Sequence, residues 1–226
     1  MIIKQNTRII LSENRKNSYQ NGKVLSKDSI TYKRSPTEPT RHFGPLRLFR
    51  EVTVAEQQSE KFIFDEAIQI LILPIIGTVQ VACGDDTYLV AVDESLIIHI
   101  PADTAISLVN NYKSSAIHYL VAGFVYDHPI TGFSKFNLQP DKSISLFEYK
   151  NENGFLNIHI GKWRGRSSGT ITPSSKHVFA FVIQGAIEME DCLLQKADGL
   201  AMYGKEIINF EALSSEAIMI FLELNS

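Results

Sequence analysis

Residues 71–83 read LILPIIGTVQVAC: two short apolar runs rich in β-branched residues, joined at Gly77. A glycine between two such runs is typical of a tight turn between β-strands. Similar runs precede and follow this stretch, among them SLIIHIP (95–101) and AIHYLVAGF (116–124), with short turn signals between them. No segment keeps a helical spacing of apolar residues. The sequence therefore predicts an all-β sandwich or barrel.

The same pattern occurs twice along the chain. The stretch FAFVIQGAIEMEDC (179–192) parallels residues 71–83, and SSEAIMIFLEL (214–224) parallels SSAIHYLVAGF (114–124). A repeat of about 100 residues indicates a duplicated domain, because solenoid repeats have much shorter periods. Between the halves, residues 126–143 contain two prolines and a glycine without alternation, as expected of a connection. We predict an N-terminal domain at 1–130, a linker at 131–143 and a C-terminal domain at 144–226.

Composition narrows the function classes. The chain has 226 residues, 44% of them hydrophobic, and a formal net charge of −3. This balance supplies a normal core and argues against a dedicated nucleic-acid binder, which requires a strongly basic face. The longest apolar run, ILILPII, is interrupted by Pro74 and is far shorter than a membrane span. We expect a cytoplasmic protein without membrane binding, with Cys83 and Cys192 as buried structural thiols.

One further stretch carries a family resemblance. FGPLRLFREVTVA (43–55) resembles the start of the pirin family, and the likeness continues in register to about Asn110. The half that begins near Phe155 resembles the second pirin domain more loosely. The resemblance implies two tandem cupin barrels, each a double-stranded β-helix or jelly roll.

In metal-bearing pirins, as the resemblance implies, iron lies in the N-terminal barrel on a His-Pro-His and on a later His and Glu. The matching ligand positions here are Ile63, Asp65, Ser107 and Val109, and the family's nearby glutamate falls on Gln69. Only Asp65 offers a good oxygen ligand, whereas a catalytic transition metal needs about three protein ligands. We expect no metal and no other cofactor, and do not transfer the oxidative flavonol cleavage reported for some pirins. A weaker alternative is a quercetinase-type dioxygenase that uses Asp65 with a histidine from elsewhere.

Candidate ligand-pocket residues in the N-terminal barrel are Asp65, Gln69, His99 and Ser107. A lone carboxylate inside an apolar barrel is unfavourable unless it is paired. Asp65 is therefore expected either to face water at the barrel mouth or to meet a partner such as His99 or an arginine.

The run Trp163-Arg164-Gly165-Arg166 is the most unusual short segment in the second half. Trp163, Arg164 and Arg166 are candidate surface contacts for an anion or a protein partner. A basic turn that closes a strand is the alternative. No residue is predicted to be catalytic, because no nucleophile or phosphate-binding motif is present.

Two functions follow from these expectations. The first is a non-catalytic, pirin-like protein that binds a small molecule or regulates a protein partner. The second is a metal-independent enzyme or binder with a pocket in the N-terminal barrel. The sequence leaves the ligand, the protein partner and the oligomeric state open.

Overall fold

The computed structural model describes residues 6–20, 22–32, 42–152 and 154–225. The chain divides into two compact units: residues 16–135, and residues 136–226 together with the N-terminal segment up to Arg15. Within the described residues the regular elements are strands, apart from a single 3₁₀ turn at Ser12–Asn14. The all-β prediction is confirmed. In these segments we find no helix with the length and hydrophobicity to cross a membrane.

The N-terminal barrel is built from two antiparallel sheets that enclose one apolar core. One sheet has the strand order β12-β9-β6-β11-β4-β3-β2 and the other β5-β10-β7-β8. The strands are β2 (Lys16–Gln20), β3 (Val24–Ile30), β4 (Leu46–Val54), β5 (Ser59–Ile63), β6 (Ile68–Ile76), β7 (Val79–Cys83), β8 (Asp86–Val90), β9 (Glu94–Ile100), β10 (Ala105–Val109), β11 (Ile117–Phe124) and β12 (Gly132–Lys135).

The C-terminal barrel repeats this arrangement. Its sheets have the orders β1-β19-β16-β21-β14-β13 and β15-β20-β17-β18. The strands are β1 (Thr7–Ile10), β13 (Lys142–Lys150), β14 (Phe155–Arg164), β15 (Ser168–Ile171), β16 (His177–Gln184), β17 (Ala186–Met189), β18 (Cys192–Gln195), β19 (Gly199–Tyr203), β20 (Ile208–Ala212) and β21 (Glu216–Asn225).

The shared strand order gives a one-to-one correspondence between the barrels. The segment from β3 to β11 matches the segment from β13 to β21, strand by strand. The turns between β6 and β7 and between β16 and β17 fix the register, because Gly77 and Gly185 occupy them with φ of 76° and 79°. A residue of one barrel can therefore be compared with its counterpart in the other.

The structure places two segments differently from the predicted domain boundaries. Strand β1 pairs with β19, Thr7 facing Met202, and so extends a sheet of the C-terminal barrel. Strand β12, inside the predicted linker, pairs with β9 and extends the N-terminal barrel. Each strand covers the hydrogen-bonding edge of its neighbour. Such pairings join residues distant in sequence, so local composition did not reveal them.

Candidate functional site

The four positions that match the family's iron ligands do not face the interior of the N-terminal barrel. On the paired strands β5 and β10, the core residues are Phe64 just beyond β5, and Ile106 and Leu108. Because side chains alternate along a strand, Ser107 points away from that core. Ile63 is 59% exposed. The other two positions, Asp65 and Val109, are exposed and half-buried respectively.

The inward-facing neighbours offer no replacement ligands. Phe62, Phe64, Ile106 and Leu108 pack in or against the core and have no atom suited to a transition metal. Over residues 6–20, 22–32, 42–152 and 154–225, no group of three or more His, Cys, Asp or Glu could hold a metal ion. Of the four matched positions, only Asp65 carries a carboxylate, and it is exposed.

Asp65 has a partner, but neither of those considered from the sequence. Its carboxylate accepts a short hydrogen bond from the Tyr32 hydroxyl, and its backbone N–H donates to the same oxygen at 3.1 Å. Burial, followed by the hydrogen bond to Asp65, raises the pKa of Tyr32 to about 12. The Tyr32 ring packs edge-on against Phe64 at 4.8 Å. The pair thus joins Asp65 to a ring that packs on the core residue Phe64.

Gln69 and His99 lie together on the outer face of the sheet. Gln69 is fully buried and alternates with the core residues Ile68 and Ile70. Its Nε2 lies 3.1 Å from His99 Nδ1 and donates to the His128 carbonyl at 2.9 Å. This amide thus fixes the segment that follows β11. The predicted pocket residues do not converge inside the barrel, and the structure assigns these two to packing outside it.

The interior of the N-terminal barrel instead holds a buried charged cluster that sequence reasoning missed. Arg50 forms a bidentate ion pair with Asp28 and donates to Glu60 Oε1 at 2.9 Å. The Tyr119 hydroxyl donates to Glu60 Oε2 at 3.3 Å. Glu60 and Tyr119 are fully buried, and the Arg50 guanidinium lies 5.5 Å from the centre of the Phe62 ring.

The pKa shifts in this cluster reflect burial and mutual pairing. Burial raises the pKa of Glu60, opposed by the charge and hydrogen bond of Arg50. Burial alone would lower the pKa of Arg50, but the hydrogen bond and charge of Asp28 and the charge of Glu60 outweigh it and raise that pKa. Burial, then the neighbouring Glu60 carboxylate, raises the pKa of Tyr119 far above its usual range. Each charged or polar side chain of the cluster thus has a hydrogen-bond partner within the cluster.

At the equivalent positions the C-terminal barrel has smaller or uncharged side chains. Asp28 and Arg50 are in register on β3 and β4, and the corresponding residues on β13 and β14 are Ser145 and His159. By the same strand correspondence Gly169 replaces Glu60, and Met219 replaces Tyr119. At these positions the C-terminal barrel has a cavity of about 560 Å³, a volume within the range typical of small-molecule sites.

Three aromatic rings form one wall of this cavity. Trp163 packs edge-on against Phe210 at 4.9 Å and against Phe221 at 6.1 Å, measured between ring centres. Two glycines make room for them. A Cβ at Gly161 would lie 2.1 Å from the Trp163 ring, and one at Gly169 would lie 2.4 Å from the Phe210 ring. The glycines are therefore required for the wall to take this shape.

A histidine and a buried carboxylate line the cavity together with hydroxyl groups of β13 and β15. His159 Nε2 lies 3.6 Å from Glu223 Oε1, and the Glu223 side chain is only 5% exposed. The other carboxylate oxygen accepts the Ser174 backbone N–H at 2.7 Å. The hydroxyl-bearing lining residues are Ser143, Ser145, Ser168 and Thr170. The arrangement can hydrogen-bond a polar group while its rings bury an apolar one.

The unusual run at residues 163–166 divides between the cavity and the surface. Trp163 is 5% exposed and lies in the core, so the prediction that it makes a surface contact is wrong. Arg164 and Arg166 are exposed, as expected of surface residues. Arg164 is paired with Asp141, which also accepts the Ser167 hydroxyl at 2.6 Å. This segment is thus a basic turn that closes β14.

The alternation along β14 was the signal for this site. His159, Gly161 and Trp163 are two residues apart and so share one face of the strand. The buried Trp163 shows that this face is the inner one. The partner carboxylate Glu223 could not be found in this way, because it comes from the far end of β21.

Comparisons with known proteins agree with this architecture. Residues 154–224 match the family described as the quercetinase C-terminal cupin domain. The structure of YhhW from Escherichia coli is similar, with a TM-score of 0.82 and 13% identity, over 96% of this chain and 97% of that chain. A nickel(II) complex of bacterial pirin YhhW gives a TM-score of 0.81 and 14% identity, over 97% and 100%. YhaK from Escherichia coli gives 0.71 and 11%, over 95% of each chain. No curated protein matches the sequence.

The two tandem barrels define a two-domain cupin protein. The match over residues 154–224 relates the C-terminal barrel to the quercetinase C-terminal cupin family, and the chain as a whole has the fold of the bacterial pirin YhhW. The predicted pirin-like resemblance is confirmed at this level. Identities of 11–14% to the solved structures establish the fold, and function rests on the residues of this chain.

Proposed function

We propose that this protein is a non-catalytic, small-molecule-binding two-domain cupin whose ligand site is the C-terminal cavity. One observation carries the proposal: the cavity of about 560 Å³ combines an aromatic wall with the His159–Glu223 pair. Ligand sites generally combine such apolar walls with a few convergent polar groups. The equivalent space in the N-terminal barrel is occupied by the Arg50 cluster.

The proposal includes the absence of metal-dependent dioxygenase chemistry. The quercetinase family name and the nickel(II) complex describe other proteins, and the ligand positions here are Ile63, Asp65, Ser107 and Val109. A set with a single good oxygen donor does not bind a transition metal firmly. After incubation with iron(II) or nickel(II) and desalting, we expect elemental analysis to find far less than one ion per chain. Retention of about one ion per chain would contradict this part.

The N-terminal barrel is the less favoured place for a binding site. Its interior is packed with apolar side chains around the charged cluster. Gln69 and His99 lie on the outer face of its sheet, and Asp65 is bonded to Tyr32. We therefore place the ligand in the C-terminal barrel and not in a metal-independent N-terminal pocket.

The chain has a built-in reporter for this proposal. Trp163 is its only tryptophan and lies in the wall of the cavity. A metabolite library that includes quercetin is titrated against the full-length protein, with tryptophan fluorescence and thermal stability as readouts. We expect at least one compound to give a saturable fluorescence change and to raise the melting temperature.

A pair of glycine variants makes the test specific. Gly169→Ala forces the Phe210 ring to move and is expected to weaken binding. Gly204→Ala is the control, because an added Cβ there has no heavy atom within 4 Å. Equal binding by Gly169→Ala and the unaltered chain would place the ligand elsewhere. Failure of every compound to bind would refute the proposal.

A further inference from the structure

The Glu223 carboxylate, which lines the cavity, can accept a further hydrogen bond. Oε2 accepts the Ser174 N–H at 2.7 Å, whereas Oε1 lies 3.6 Å from His159 Nε2, the one partner seen for it among the described residues. Hydrogen bonds of this type normally measure about 2.7–3.2 Å, so Oε1 has room for another donor. Because a buried carboxylate without donors is unfavourable, a ligand that supplies one is stabilised at this point.

The charge of the cavity lining is negative. None of the described residues that line it is a lysine or an arginine. The second acidic residue, Asp141, is already bonded to Arg164 and Ser167. Glu223 is left as the carboxylate without a cationic side chain beside it, apart from His159 when that ring is protonated. An anionic ligand would meet this charge without a compensating partner.

The aromatic wall suits a cation with an apolar body. Trp163 and Phe210 have ring centres 4.9 Å apart, and Phe221 lies 6.3 Å from Phe210. Aromatic faces attract ammonium groups, and the attraction grows when water is excluded. The same rings bury flat or alkyl groups.

We propose that the C-terminal cavity binds a small primary amine in its ammonium form, the charged head at Glu223 and the apolar body against Trp163 and Phe210. The inference rests on the proposed function and adds the charge class of the ligand. The ammonium group donates to Glu223 Oε1 and supplies the opposite charge. The serine and threonine hydroxyls of the lining can hydrogen-bond a further polar substituent of the ligand.

Three matched compounds test the charge class on the full-length protein: 2-phenylethylamine, 2-phenylethanol and 3-phenylpropanoate. They share a ring and a short chain but carry a cation, a neutral donor and an anion. Trp163 fluorescence and titration calorimetry measure binding. We expect the amine to bind about tenfold or more tightly than the alcohol, and the propanoate not to bind.

Variants then locate the charged contact. Glu223→Gln retains a side-chain oxygen for the Ser174 N–H but loses the charge, so amine affinity falls about tenfold or more while alcohol affinity stays similar. Glu188→Gln, an exposed carboxylate on β17 outside the lining, is the control and leaves both affinities unchanged. Circular dichroism checks the fold. Should Glu223→Gln fail to fold, the three-compound comparison on the unaltered chain still decides the charge class.

The outcomes separate this inference from the proposed function. Equal or tighter binding of the alcohol, or undiminished amine binding by Glu223→Gln, overturns the amine assignment and leaves the cavity as a ligand site. Binding of a neutral polyphenol with no binding of the amine has the same meaning. If no compound of the library or of this set binds, both proposals fail.

Discussion

Arg50 and His159 occupy equivalent places in the two barrels. Each lies on the inner face of a central strand, Arg50 in register with Asp28 and His159 in register with Ser145. The arginine side has two carboxylates within ion-pairing distance and fills the barrel interior. His159 has the Ser145 hydroxyl beside it, one carboxylate, that of Glu223, at 3.6 Å, and a cavity. A few substitutions at matched positions thus decide which half of a duplicated fold is open.

Replacing Arg50 by leucine is expected to destabilise the N-terminal barrel strongly. The substitution leaves Asp28 and Glu60 buried without their cation, and such a loss typically costs about 3–5 kcal/mol. Denaturant unfolding of the full chain measures the change. The triple variant Arg50→Leu, Asp28→Asn, Glu60→Gln removes every charge and is expected to recover most of that stability.

Arg47→Leu is the matched control for Arg50→Leu. Arg47 forms an ion pair with Glu66 at 3.3 Å, but both side chains are partly exposed, at 24% and 41%. Surface pairs contribute about 1 kcal/mol or less. Similar losses for the two arginine variants would show that burial of the Arg50 cluster adds nothing.

The turn glycines give a second prediction. Gly185 has a φ of 79°, and a Cβ there would lie 2.1 Å from Ser214 Oγ and 2.6 Å from the Glu216 carbonyl oxygen. Gly185→Ala combines left-handed strain with overpacking and is expected to lower the free energy of unfolding by about 2–5 kcal/mol. Gly77→Ala acts similarly, since its Cβ would lie 2.7 Å from Ile117.

Gly22→Ala separates strain from packing at these turns. Gly22 has a φ of 67°, but an added Cβ finds no heavy atom within 4 Å. The loss should be limited to the strain of about 1–2 kcal/mol. A loss at Gly22 as large as that at Gly185 would show that the close contacts do not contribute.

Period-two alternation and the repeated glycine turn were enough to predict the all-β class and the duplication. The cavity was not predicted, because it depends on which residues meet across strands. Sequence comparison singled out Asp65, Gln69, His99 and Ser107, yet none of these lines the C-terminal cavity. The pairing of Glu223 with His159 joins β21 to β14, and the Arg50 cluster joins β3, β4, β5 and β11. Such long-range register is set by packing and not by local pattern.

The position of Trp163 can be checked by its own fluorescence. Because the ring is buried, we expect a blue-shifted emission relative to free tryptophan in water. Gly161→Ala places a methyl group 2.1 Å from the ring, so the ring must move, with a red-shifted emission and loss of ligand binding. Gly204→Ala introduces left-handed strain without that clash and should leave the emission unchanged. An unchanged emission in Gly161→Ala would contradict the ring position.

Asp141 gives a prediction with a defined pH range. Hydrogen bonds from the Ser167 hydroxyl and from the backbone and side chain of Arg164 lower its pKa from 3.8 to about 2. Since the folded state holds the ionised form more firmly than the unfolded state, this contribution is present above about pH 4 and is lost as the pH falls towards about 2. Asp141→Asn should therefore melt below the unaltered chain near neutral pH.

The difference in melting temperature between the two proteins should shrink as the pH falls from about 4 to about 2. Ser167→Ala provides a graded second variant, because it removes the largest of the interactions that lower this pKa. The carboxyl titration of Asp141 in this variant, followed by carbon NMR, should move upward towards 3.8. Its acid-induced loss of stability should therefore be smaller and should be complete at a higher pH than in the unaltered chain. A melting difference that stays constant across this range would contradict the assignment, since the Asp141–Arg164 contact would then stabilise the fold without regard to protonation.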